Sequence, residues 1–262
     1  MAVIGIAEKG YTSAKLSVRI NGGHSSIPGQ ETAIGVLTEA VQRVVRSPMQ
    51  PVLHTGVINQ LFNFVAPYLP KHLSFMLANS KLLQFILAPM LSKTAVMNAL
   101  MRTTTAPTIF NAGGVDNVLP GYAEAVINFR IAPHETSQDV LNHIVRVIQD
   151  NRVQVDLLGK KWEPSAVSCI DCPHFSLVYH TAKYTSMKHA RGSSEIVVSP
   201  YLMLGATDSR YYRTITPNVY NFYPMRLSPE LLASIHGINE RIAIDNYLEG
   251  VDFIFQTILN VD

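Results

Sequence analysis

The chain is poor in charge. Of its 262 residues only 15% are Asp, Glu, Lys or Arg, well under the roughly 25% usual for soluble domains. Its 21 basic and 19 acidic side chains leave a net charge of +2. That balance is too even for a protein that grips nucleic acid by neutralising phosphates. Cysteine is scarce as well: Cys169 and Cys172 cannot build a disulfide scaffold. Cys169-Ile-Asp-Cys172 is a lone CxxC with no second pair for a zinc site and no strand leading into it, so an incidental loop pair is favoured over a disulfide or metal contact. Long hydrophobic runs are also missing. The oiliest stretch, Phe62 to Leu91, is broken by Pro67, Pro70, Lys71, Asn79, Lys81 and Pro89, and no run of about 18 uncharged apolar residues is left to span a membrane. The first twenty residues have no basic leader and are interrupted by Glu8 and Lys9, which argues against a signal peptide or anchor. None of the nine histidines opens His-x-Asp, no His-Glu-x-x-His occurs, and no two acidic residues are adjacent. Spacing alone assembles no metal site.

Apolar residues make up 47% of the chain, enough to bury a sizeable core. Residues 15–20 alternate, with Leu16, Val18 and Ile20 on one face, and predict a half-buried strand ending at Asn21-Gly22-Gly23-His24. Ala33, Ile34, Leu37, Ala40, Val41, Val44 and Val45 recur at helical spacing until Ser47-Pro48. Residues 49–105 turn apolar, proline-punctuated and methionine-rich, and read as a helical insertion. Strands follow over 104–110 and 124–131, then a helix over 137–148 with Ser137 as its expected N-cap, then a strand over 153–158. Strand, helix, strand, strand, helix, strand is the split-βαβ order. Beyond it come a helix over 173–187, strands over 195–202 and 218–223, and a helix over 243–259. The fold class expected is α+β: a ferredoxin-like lid over residues 11–159, with its insertion at about 49–105, then half of an α/β domain over 160–262.

Two segments carry chemistry. Gly22-Gly23-His24-Ser25-Ser26 puts a histidine among small residues at a strand end, and Thr207-Asp208-Ser209-Arg210 follows an apolar strand, where sites are often built. With Pro28, Asn117-Val118-Leu119-Pro120, Asn128-Phe129-Arg130 and His236-Gly237-Ile238-Asn239-Glu240, these segments resemble, in order and approximate spacing, the di-zinc carboxypeptidase and aminoacylase family. Glu8-Lys9-Gly10, the apolar insertion and Arg102-Thr103-Thr104-Thr105 look closest to its branch of N-fatty-acyl-amino-acid synthase/hydrolases and carboxypeptidase S.

The resemblance implies zinc-dependent hydrolysis of the amide bond in N-acyl amino acids, fatty-acylated ones included, in a reversible reaction. It makes His236 a zinc ligand and His24 a lid histidine that reaches a partner's site in a homodimer and steadies the oxyanion. Asn117 then holds substrate near that oxyanion, and Arg210 and Arg130 grip the substrate's free carboxylate. An extracellular location is implied by the same branch. The insertion either guides an acyl chain or packs a lid or dimer interface. The family's His-x-Asp, bridging aspartate, Glu-Glu pair and further carboxylate do not occur here, so the chain is expected to be a C-terminal fragment and inactive alone. The alternative is a non-catalytic dimerisation module or pseudoenzyme. RNA binding by the sheet is disfavoured by the even charge and the lack of clustered strand aromatics.

Overall fold

A computed structural model describes residues 1–190, 196–226 and 228–261. Its elements fall into two packed units. The first is built on β2 (Gly10–Arg19), α1 (Ala33–Arg46), β4 (Thr104–Ala112), β6 (Tyr122–Ile131), α6 (Ser137–Ile148) and β7 (Val153–Leu157). Its strands lie in the order β4-β6-β2-β7, every pair antiparallel, which is the ferredoxin-like arrangement. A short two-stranded ladder, β3 (Gly23–His24) with β5 (Val118–Leu119), stands at one end.

Side-chain alternation explains the sheet. In β6 the even pleat buries Ala123, Ala125, Ile127, Phe129 and Ile131 and leaves their neighbours half-exposed. Val36, Leu37, Ala40 and Val44 of α1, with Val140, Ile144 and Ile148 of α6, cover that buried face. Thr136, not Ser137, caps α6: its extended backbone lets the side chain accept from the Asp139 N–H, and Asp139 answers by accepting from the Thr136 N–H. Ser137 is thereby inside the first turn, and its N–H and hydroxyl are taken by the Glu163 carboxylate.

The second unit centres on β1 (Ala2–Glu8) and β8 (Val198–Met203), a parallel pair. β1 was not anticipated, because Ala2 to Glu8 is near-continuously apolar rather than alternating, as befits a strand covered on both faces. Of the strand expected over 195–202, Glu195 lies outside the described residues and the rest starts at Val198. No strand forms over 218–223; only an antiparallel bridge joins Asn221 to Gly5. Asn218 Oδ1 accepts from Cys169 N–H and Val219 N–H donates to Ser168 Oγ, so the start of this stretch is engaged with the Cys169 loop. α7 (Pro173–Lys188) lies on β1 and β8, and α10 (Ile244–Leu259) lies on α7.

The insertion is helical, with α2 (Gly56–Val65), a 3₁₀ turn over 66–68, α3 (Lys71–Ala78), α4 (Gln84–Leu91) and α5 (Ala95–Met101). Its core residues Leu53, Val57, Ile58, Leu61, Phe62, Leu87, Leu100 and Met101 join Ile4, Ile6, Phe175 and Phe253 in the second unit's core, away from the lid's. Its ends are pinned together. Val52 N–H donates to Met101 O, Arg102 reaches Met49 O, and the buried Lys9 ammonium donates to Ala99 O at 2.8 Å and Arg102 O at 2.7 Å. α8 (Ser209–Tyr212) and α9 (Pro229–Ser234) complete the second unit.

Candidate functional site

The strongest gathering of polar groups lies where β1 and β8 end, at the seam between the units. Parallel strands present their carboxyl ends together, and loops leaving them meet there. The buried Glu8 carboxylate accepts from the Thr207 hydroxyl and from Asn221 Nδ2 at 3.3 Å. Ser209 Oγ sits 2.9 Å from Thr207 Oγ1 and donates to Asn221 Oδ1. Beside this network opens a cleft of about 310 Å³ whose charged lining is Lys9, Arg210 and Arg213 against Glu8 and Glu163. Arg213 is a structural member: it donates to Ala166 O at 2.8 Å, and burial, partly offset by Glu8, lowers its pKa from the ordinary value.

A stack of rings and guanidinium groups crosses the seam. Tyr11 of β2 stacks on Trp162 with centroids 4.5 Å apart and planes at 17°. Arg130 of β6 lies 5.0 Å over Tyr11 on one side, and Arg210 of α8 lies 5.4 Å from the Trp162 ring on the other. Arg210 also covers the Tyr211 ring at 4.7 Å. Gly10 makes the approach possible: a Cβ there would sit 2.7 Å from Pro164 N and 2.8 Å from Trp162 O. Paired backbone bonds between Tyr11 and Trp162, at 2.8 and 3.0 Å, fix the register.

His24 and Asn117 meet at the opposite end of the lid. His24 pairs with Val118 across the β3–β5 ladder, and Ser25 N–H donates to Asn117 O at 3.2 Å. Gly22 permits this ladder, since a Cβ there would come within 2.6 Å of Leu119 O. Ser26 N–H donates to His24 Nδ1 at 3.2 Å, which makes Nδ1 an acceptor. With Nδ1 accepting, the neutral tautomer carries its proton on Nε2, and the residue is exposed. Arg130 faces Tyr11 near the start of β2, so roughly 25 Å of strand separates it from the His24 end.

His236 lies on an exposed loop after α9, in left-handed backbone with φ 61°, its N–H donating to Glu240 Oε2 at 3.0 Å. Among the described residues no group of three or more His, Cys, Asp or Glu gathers to hold a metal ion. Zinc needs three or four protein ligands, so these residues do not make up a zinc site by themselves. Of the five residues singled out from sequence, the structure sets His24 beside the Asn117 turn, places Arg130 and Arg210 at opposite ends of one ring stack, and puts His236 on a separate exposed loop. Tyr11, Trp162 and Lys9 were missed; a lone tryptophan after Lys160-Lys161 was the available signal.

A family model described as a peptidase dimerisation domain matches residues 6–156, more than half of the chain. The chain belongs to the M20 peptidase dimerisation-domain family. This M20 chain is 40% identical over 262 residues to a probable carboxypeptidase S-like protein of Dictyostelium discoideum, covering 100% of the chain and 49% of that protein. It is 36% identical over 262 residues to an N-fatty-acyl-amino acid synthase/hydrolase of Homo sapiens, with 100% and 51% covered. It therefore spans about half the length of these relatives. Among solved structures, a metallo-carboxypeptidase of Sulfolobus solfataricus superposes with a TM-score of 0.61 at 15% identity, covering 98% of this chain and 59% of that one, a likeness of fold.

Proposed function

We propose that this M20 chain supplies the lid, the dimer contact and the carboxylate-binding part of a zinc-dependent amidohydrolase of N-acyl amino acids, fatty-acylated ones included. The observation that carries this reading is the 36% to 40% identity held along the whole chain to a synthase/hydrolase of N-fatty-acyl amino acids and to a carboxypeptidase S-like protein. In this reading Arg210, set in the cleft, pairs with the substrate's free carboxylate through its planar fork, and Arg130 supports it from the lid side of the stack. His24 offers Nε2–H to the oxyanion of a partner's substrate, with Asn117 beside it. His236 is the zinc ligand this chain contributes, and its left-handed backbone is the kind of local strain that collects at functional positions. The exposed Phe75, Leu82 and Phe85 of the insertion give an acyl chain an apolar surface to follow. The homodimer forms through the exposed edge strand β4, where Ile109 and Phe110 are bare, and through α1. An extracellular location fits the same relatives; among the described residues no helix is long and apolar enough to cross a membrane.

The test joins the chain behind the amino-terminal half of the Dictyostelium relative. The chimera should bind zinc, sediment as a dimer and hydrolyse N-acyl amino acids in a chelator-sensitive way. A folded, zinc-loaded dimer without that hydrolysis would overturn the reading.

A further inference from the structure

The two cysteines sit together at the start of α7. Cys172 is the N-cap of this 16-residue helix, with extended backbone at φ −126° and ψ 158°, so its sulfur faces the positive end of the helix dipole. Cys169 stands three residues earlier, its carbonyl oxygen accepting from the Cys172 thiol at 3.5 Å, and both cysteines are free and half-buried. Tyr220 Oη donates to Cys169 O at 2.7 Å and lies 3.2 Å from Cys172 Sγ, so one hydroxyl touches both cysteines. The loop is held from outside by Cys169 N–H donating to Asn218 Oδ1 at 2.9 Å. The sequence alone favoured an incidental loop pair; the fold sets both cysteines on one turn leading into a helix N-terminus.

We propose that Cys169 and Cys172 form a redox-active dithiol that small disulfides of the glutathione class convert to an intramolecular disulfide. Cys172 is the attacking sulfur. Burial opposes its ionisation, but hydrogen bonds from the Cys169 thiol and the Tyr220 hydroxyl outweigh it and bring the Cys172 thiol down to about 7. Cys169, as the donor in that contact, is held above its ordinary value and keeps its proton for the second step. Burial raises Tyr220 in the same way, so its hydroxyl stays protonated and available to the thiolate.

The Cys172 thiolate bonds to one sulfur of the small disulfide, whose S–S bond breaks and releases one small thiol. Cys169 then loses its proton to water, and its sulfur attacks Cys172 Sγ, displacing the second small thiol. The protein gives up two electrons and two protons, and the small disulfide becomes two thiols.

Intact-mass and peptide mapping of the full chain, after exposure to excess glutathione disulfide at pH 7, tests this. The expected product lacks two hydrogens, carries no glutathione and links Cys169 to Cys172. Cys169→Ser should instead keep a stable glutathione adduct on Cys172. In the reduced chain, alkylation of Cys172 should run roughly fivefold faster than that of Cys169 at pH 7, the gain in thiolate outweighing the loss in nucleophilicity. A persistent adduct on the unaltered chain, disulfides between chains, or thiols left unreacted would each overturn the proposal. These readouts on the unaltered chain decide it even if the variant does not fold.

Discussion

Replacing Trp162 with alanine is expected to loosen the seam by an amount the stack defines. The Tyr11–Trp162 pair, at 4.5 Å and 17°, is worth roughly 0.5–1.5 kcal/mol beyond area burial. The Arg210 contact at 5.4 Å adds about 0.5–1 kcal/mol. Trp162→Ala should therefore cost about 1–2.5 kcal/mol, and Trp162→Phe should recover most of the ring-on-ring share. Because the backbone bonds between Tyr11 and Trp162 survive both changes, the loss reports side chains alone. Urea unfolding followed by far-UV circular dichroism measures it without relying on the lost indole. A double-mutant cycle with Tyr11→Ala isolates the pair, with an expected coupling of about 1 kcal/mol. A coupling indistinguishable from zero would refute the claim that this stack ties lid to second unit.

Thr136→Ala removes half of a reciprocal capping box and should destabilise the lid by about 1 kcal/mol, read as a lowered urea midpoint, while Ser137→Ala should leave the α6 cap intact. Lys9 makes stability depend on alkaline pH. Its ammonium is pulled by burial from 10.5 to about 7, partly offset by Glu135, so between those values it is neutral when folded and charged when unfolded. Unfolding then takes up a proton, and stability rises with pH across that window and levels off above it. Lys9→Met should flatten the rise between pH 7 and 10, and an unchanged slope in that variant would sink the assignment. In the active chimera, Arg210→Lys should slow free-acid substrates by tenfold or more, since roughly 1.4 kcal/mol is enough, and amidated ones little. Equal losses on both would make Arg210 a seam residue only. His24→Ala should lower kcat by roughly 10²–10³ with zinc content unchanged, and mixing it with His236→Ala protomers should restore part of the activity.

Local pattern carried the lid. The alternation in Ala125, Ile127, Phe129 and Ile131 and the helical repeat from Ala33 to Val45 name their own buried faces, because each side chain's burial follows from pleat or turn geometry within one element. The pairing of His24 with Asn117 was not named by spacing, but both stand in short turns whose glycine and proline punctuation marks them as loops beside strands. The second unit was less legible for a physical reason. Ala2 to Glu8 is buried on both faces and shows no period, and Asn218 to Tyr223 looks like a strand while its hydrogen bonds are split between the Cys169 loop and a single bridge to Gly5. The home of the insertion was likewise undetermined: its helices are apolar, but only packing decides that Leu61, Phe62 and Leu87 join Ile4 and Ile6 and not Phe129. The seam stack belongs to the same class. Tyr11 and Trp162 are far apart in the chain and lie in none of the motifs, so only the closed sheet and the Gly10 approach bring them together, between two arginines that resemblance alone had grouped. By itself the sequence determined the elements and most of their faces; tertiary structure decided which faces meet, since contact across long loops depends on the shape of the whole packed core.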